Sequence, residues 1–213
     1  MSKPKHSSRE IGRALSEQDH HILLHRLQLD RSLLGLRNLA LYLFLYFTGL
    51  RIGEALSLQI GQVFDDVQVR SRGFLPAERT KGKKHGRKFC LHDSKGLLRQ
   101  ALRDYFLARC KQVAYPQPAD PLFLSTRPGN PPAAVDCSVV RRWFAELQGK
   151  KGCNFMFPYR LHDLRHTAIT RYDQKSGHDL KLTQEMSGHS RIENLLRYTH
   201  PDDADHLAVA ARL

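Results

Sequence analysis

His162-Asp163-Leu164-Arg165-His166-Thr167 sets an imidazole and a guanidinium at i and i+3. On a helix that spacing puts His162 and Arg165 on one face, while Leu161, Leu164 and Ile169 supply apolar positions for the opposite, buried side. A planar basic fork beside an imidazole suits an anion, and a phosphodiester is the obvious candidate. The same pattern also fits a buried polar pair at a helix start. Two further stretches bear on the choice, Gly188-His189-Ser190 and Arg197-Tyr198-Thr199-His200.

The chain has 213 residues, which suits one domain, or one domain with a small extension, and allows a real core. It carries 34 basic against 21 acidic residues, a formal charge of +13 and a pI of about 9.9. That excess attracts polyanions with a strong salt dependence, although a merely soluble basic protein can show it too. No long amphipathic basic helix argues for a membrane surface. Cys90, Cys110, Cys137 and Cys153 form no C-x-x-C pair and read as reduced thiols of a cytosolic protein. Residues 1–10 are polar and basic, unlike a secretory leader. The most apolar run, 33–50, contains Arg37 and Asn38 and is too short to span a bilayer convincingly, so it reads as a buried core helix.

Residues 1–14 read as a flexible basic arm with Lys3, Lys5, Arg9 and Arg13. Ser16 caps a helix to about 29, and a second helix over 32–47 ends at Thr48-Gly49, where glycine supplies a left-handed cap. A short helix follows over 50–58. Residues 67–70, 74–80 and 88–91 read as strands of one small antiparallel three-stranded sheet. Lys81-Gly82-Lys83-Lys84-His85-Gly86-Arg87 forms a basic hairpin tip between the last two. Further helices are expected over 94–113, 136–147, 162–175, 179–186, 191–197 and 203–212, with a basic loop over 148–159. The fold class is therefore mainly α with a small sheet (α+β), in one domain over 15–213.

These residues resemble the catalytic domain of the tyrosine recombinases, the phage-integrase and Xer class. Thr48-Gly49-Leu50-Arg51-Ile52-Gly53-Glu54-Ala55 is similar to that family's first box and His162-Asp163-Leu164-Arg165-His166-Thr167 to its second. Gly188-His189-Ser190, with Tyr198 nine residues after His189, is similar to its third. The resemblance covers about residues 15–200 and implies six site residues: Arg51, Lys81, His162, Arg165, His189 and the nucleophile Tyr198. Lys81 is favoured over Lys83 and Lys84 because Thr80-Lys81-Gly82 enters the hairpin as the family's lysine does. Ser187 departs from the usual apolar residue before Gly188, and the 149–157 segment is longer than is common. Most of the family carry an N-terminal DNA-clamping domain; with at most about 15 residues before the first helix, no separate one is expected here, and the chain resembles the small single-domain members that invert fimbrial promoter segments.

The resemblance implies strand cleavage through a covalent 3′-phosphotyrosyl link, with neither ATP nor metal nor other cofactor. Two arginines would grip the phosphate, Lys81 would protonate the leaving 5′-oxygen, His162 would act as acid/base or position the phosphate, and His189 would donate to it. His166 is expected to be structural and Glu54 to orient a basic side chain. Lys83, Lys84, Arg87 and Lys88 read as a solvated, phosphate-touching tip, and Arg141, Arg142, Lys150 and Lys151 as further DNA-facing or solvated positions. The implied partners are double-stranded DNA with inverted repeats and further copies of the chain, a dimer on a site and a tetramer in the synapse, with accessory proteins. No membrane is implied, and the location would be the cytoplasm. Apolar positions Leu207, Val209, Ala210 and Leu213 suit a tail helix that closes the core or docks on a neighbour. Site-specific recombination competes with a DNA-relaxing nicking-closing enzyme and with a non-catalytic DNA-binding regulator.

Overall fold

The structure, a computed structural model, describes residues 13–80, 86–126, 132–189, 193 and 195. The Ser16 hydroxyl accepts from the Asp19 N–H at 3.1 Å and opens α1 (Glu17–Gln28). Ser32 accepts from Gly35 at 3.0 Å and opens α2 (Leu33–Thr48). α2 is buried on nearly every side and carries the core, where Phe44 meets Phe89 and Phe123 edge-on at 5.7 and 5.6 Å between ring centres. The polar interruption of this apolar run is itself a clamp. Buried Arg37 donates to the Leu124 carbonyl at 2.8 Å and to Asn38 Oδ1 at 2.9 Å. α2 stops at Gly49, whose φ of +62° is the left-handed cap expected there.

α3 (Ile52–Leu56) follows at once. Next come β1 (Phe64–Asp65) and β2 (Gln68–Val69), paired antiparallel, then β3 (Arg72–Leu75) and β4 (Arg87–Cys90), also antiparallel, with Leu75 opposite Arg87. The three-stranded sheet expected from sequence is thus, among the described residues, two separate two-stranded ladders. The stretch 74–80 is not one strand: Pro76 has no N–H to give, and a single 3-10 turn, Ala77–Arg79, follows it. Within 67–70, only Gln68 and Val69 pair, with Asp65 and Phe64, across a turn in which Asp66 takes φ +51°.

α4 (Leu97–Gln112) starts three residues later than expected, because the Asp93 carboxylate caps it from outside, accepting from Leu97 and Leu98 at 2.9 Å each. α5 (Cys137–Gln148) opens on Asp136, α6 is Leu161–Lys175, and α7 (Leu180–Ser187) opens on Asp179. The 149–157 segment folds back on the end of α5, with Cys153 N–H donating to Leu147 and Phe155 N–H to Gln148. A Cβ on Gly152 would meet the Leu147 carbonyl oxygen at 1.9 Å, so this return needs glycine. At the other end of the chain Arg13 lies over the Tyr159 ring at 4.1 Å, and Leu15 N–H donates to Thr167 Oγ1 at 2.7 Å. The remainder of the basic arm (residues 1–12) and the helices expected over 191–197 and 203–212 lie outside the described residues, except Glu193 and a fully buried Leu195. Among the described residues no helix is long and apolar enough to cross a membrane.

Candidate active site

The left-handed turn at Gly49 hands the chain to Arg51, which stands at the N-cap position of α3. Glu54 pins it there. One carboxylate oxygen accepts the Arg51 backbone N–H at 2.9 Å, and the other accepts Arg51 Nη1 at 2.8 Å. Arg87 Nη2 reaches the first oxygen as well, at 2.8 Å. Glu54 is only 4% exposed. Burial pushes its carboxyl up, but the Arg51 N–H, the charge of Arg87 and the Arg51 side chain outweigh that and hold it below its ordinary value.

α6 starts where Asp163 accepts the Arg160 N–H at 2.7 Å, a cap that fixes the rotation of the helix and hence the direction of its i, i+3 pair. Arg165 is almost fully buried. Its Nη1 donates to the Gly49 carbonyl at 2.5 Å and its Nη2 to the Ser187 carbonyl at 2.8 Å, joining the ends of α2 and α7. The same Nη2 lies 3.3 Å from His189 Nε2. Arginine has donors only, so Nε2 is the acceptor and the imidazole proton sits on Nδ1. Consistently, burial first, and then Arg165, Arg51, Arg87 and His162, lower the His189 pKa to about 4. His162 is also lowered, by burial and then Arg165, against an upward pull from Asp163. Both imidazoles are therefore neutral at pH 7.

A cavity of about 760 Å³ opens on these groups. Arg51, Glu54, Arg79, Thr80, Arg141, Arg160, His162 and Arg165 line it, with Phe144 and Tyr159 on one wall. Five arginines face a single carboxylate that already has two guanidinium partners. Such a pocket takes an anion with several oxygens. Among the described residues no group of three His, Cys, Asp or Glu side chains is placed to hold a metal ion.

The phage integrase family model matches residues 13–205. The chain belongs to the phage integrase family. Within the family it is 31% identical over 169 residues to "Tyrosine recombinase XerD" of Chlamydia pneumoniae, a match that covers 78% of this chain and 49% of that protein. It is 33% identical over 204 residues to "Tyrosine recombinase XerC" of Bacillus licheniformis, covering 94% of this chain and 60% of that one. Its fold is that of XerA recombinase, with a TM-score of 0.69 and 25% identity over 95% of this chain and 65% of that one. The chain spans about half the length of the curated relatives it matches.

Of the residues singled out in this phage integrase family chain, Arg51, His162 and Arg165 meet at the cavity and His189 adjoins Arg165. Lys81, Lys83, Lys84 and Tyr198 lie outside the described residues, though Thr80, next to Lys81, lines the cavity. Arg141 lines it too, while Lys88, Arg142, Lys150 and Lys151 are exposed. Arg87 is not part of a solvated tip. Its side chain is 12% exposed, bonded to Glu54 and to the Met186 carbonyl at 2.8 Å each, so it has no free face for DNA. Glu54 does orient basic side chains, two rather than one. His166 is half-buried near Thr170 Oγ1, 3.4 Å away, and does not line the cavity. Arg79 and Arg160 were not singled out by sequence. Their signal was position alone, one residue before Thr80-Lys81 and two before His162.

Proposed function

We propose that this chain is a tyrosine-type site-specific DNA recombinase that cuts and rejoins strands through a 3′-phosphotyrosyl link. The observation that carries the reading is the convergence of Arg51, His162 and Arg165 on one arginine-rich cavity, with His189, from a third stretch of sequence, against Arg165. A phosphodiester there meets donors from Arg51 and Arg165, which neutralise the charge that grows on its equatorial oxygens. Tyr198 Oη attacks phosphorus, the bond to the 5′-oxygen breaks, and Lys81 gives that oxygen a proton. Neutral His162 is in the state needed to take the tyrosine proton. A phosphate oxygen entering between Arg165 and His189 replaces their mutual contact, and both then donate to it, with the histidine proton moved to Nε2. The phosphotyrosyl link keeps the bond energy, so a 5′-hydroxyl can reverse the step.

The names of the relatives support the same activity, and solved XerH structures of similar fold are described as pre- and post-cleavage complexes with difH DNA. A lambda integrase dimer bound to a COC′ core site shares the fold at a TM-score of 0.59. By analogy the DNA of this chain is an inverted repeat bound by two copies, with four in the synapse, in the bacterial cytoplasm. The test is a nicked suicide duplex that traps the covalent adduct. The wild-type chain is expected to form the adduct, and Tyr198→Phe to bind DNA without forming it; an adduct on the phenylalanine variant excludes Tyr198 as nucleophile. Lys81→Ala should slow an ordinary substrate far more than one with a 5′-thio leaving group, which needs no proton. Equal losses on both would move the acid role to Lys83 or Lys84.

A further inference from the structure

Arg87 opens β4, six residues after Lys81 in the sequence, yet its side chain turns inward. Its two terminal nitrogens bind different elements, Nη2 the Glu54 carboxylate and Nη1 the Met186 carbonyl. Each contact lies one step from the phosphate clamp. Glu54 holds Arg51 through both its backbone N–H and its guanidinium. The carbonyl next to that of Met186, on Ser187, accepts from Arg165. Gly188 makes the approach possible: a Cβ there would stand 2.8 Å from Arg87 Cδ, and its φ of +65° disfavours any other residue. One guanidinium thus ties α3, β4 and the end of α7 together.

The charges give this tie a second effect. Glu54 beside Arg51 alone makes a neutral pair, in which the guanidinium is drawn to the carboxylate and offers little to a phosphate. With Arg87 the triad carries a net positive charge, and one carboxylate oxygen is already engaged. We propose that Arg87 is a positioning residue for DNA cleavage, offsetting Glu54 so that Arg51 stays available to the scissile phosphate and fixing the start of β4 against α3 and α7. The inference rests on the recombinase reading.

Two measurements test it, one of them independent of cleavage. With ¹⁵N-labelled arginine, the Arg51 Nε signal, assigned by its loss in Arg51→Lys, should shift on titration with inorganic phosphate in the wild-type chain. In Arg87→Gln, which removes the charge and cannot bridge both partners, that response should weaken markedly. An unchanged response overturns the proposal, whether or not the chain cuts DNA. In single-turnover cleavage of the suicide duplex, Arg87→Ala should be about 10²-fold slower with DNA affinity little changed. Adding Glu54→Gln to it removes the unbalanced carboxylate and should recover part of the rate. A double variant no faster than Arg87→Ala would reduce Arg87 to a structural strut. Should Arg87→Ala fail to fold, Arg87→Gln with and without Glu54→Gln carries the same comparison. A wild-type chain that forms no adduct at all overturns the recombinase reading, and the phosphate titration then still decides whether Arg87 positions Arg51.

Discussion

His20 lies against α2, its Nδ1 2.8 Å from the Tyr42 hydroxyl and its ring stacked on Tyr46 with centres 3.9 Å apart. Burial, then the charges of Arg171, His21 and Lys95, hold its pKa at about 4, as burial and the arginines of the clamp do for His189. In the unfolded chain both histidines return to an ordinary value of 6.5. Between pH 6.5 and about 4 the unfolded state therefore binds protons that the folded state refuses. Their contribution to stability is complete above 6.5 and is lost as pH falls toward 4. Urea midpoints measured from pH 7.5 downward should fall through this window, and His189→Gln should remove one contribution to the slope. Midpoints that do not move would show that neither ring is held neutral. At this same scale the sequence was most readable where a spacing carried chemistry, as in His162 and Arg165. It misled at Arg87 because a run of basic residues resembles a solvated tip. The alternation was there to be seen: Phe89 marks the inward face of β4, and Arg87, two residues earlier, shares it while Lys88 points out.

Helices announced themselves through their caps. Ser16, Ser32 and Asp136 each bond the N–H groups that a helix start leaves open, and the sequence pattern starts a helix at each of the three. The strands did not, since ladders of two and four residues are set by their partners rather than by their own pattern. Glycine at the end of α2 was equally legible as a cap, but its second role was not. Gly49 also gives its carbonyl to Arg165, and a Cβ on it would stand 3.0 Å from Met186 Cε and 3.3 Å from Ala168 Cβ. Gly96, at a similar positive φ of +69°, has open space around it. Gly96→Ala should therefore cost only the backbone strain, about 1 kcal/mol, and Gly49→Ala about 1–3 kcal/mol. The two should differ further in function: displacing Met186 disturbs α7, so Gly49→Ala should lose cleavage that Gly96→Ala keeps. Chemical denaturation and adduct yield on the paired variants measure both expectations.

At the scale of the molecule, α2 gathers α1, α4 and α6 around one apolar core, and the cavity lies where α3, α5 and α6 meet beyond its C-terminal end. The motifs, scattered over more than a hundred residues of sequence, become neighbours because Arg165 joins the ends of α2 and α7. The attachment of α7 differs in kind from that of the rest. Its two buried side chains, Thr183 and Ser187, are both polar, and Thr183 hydroxyl to Asp173, Ser187 carbonyl to Arg165 and Met186 carbonyl to Arg87 hold it in place. A helix fastened by such bonds, with little apolar surface behind it, opens at a lower free energy than the core. The chain should then have two thermal thresholds. On warming, adduct yield should collapse while circular dichroism still reports an intact helical core, and it should return on cooling. Coincident curves would mean that α7 is as firmly seated as α2. Separated curves would make warmth a reversible off-switch for strand cutting, acting on one short helix and leaving the fold intact.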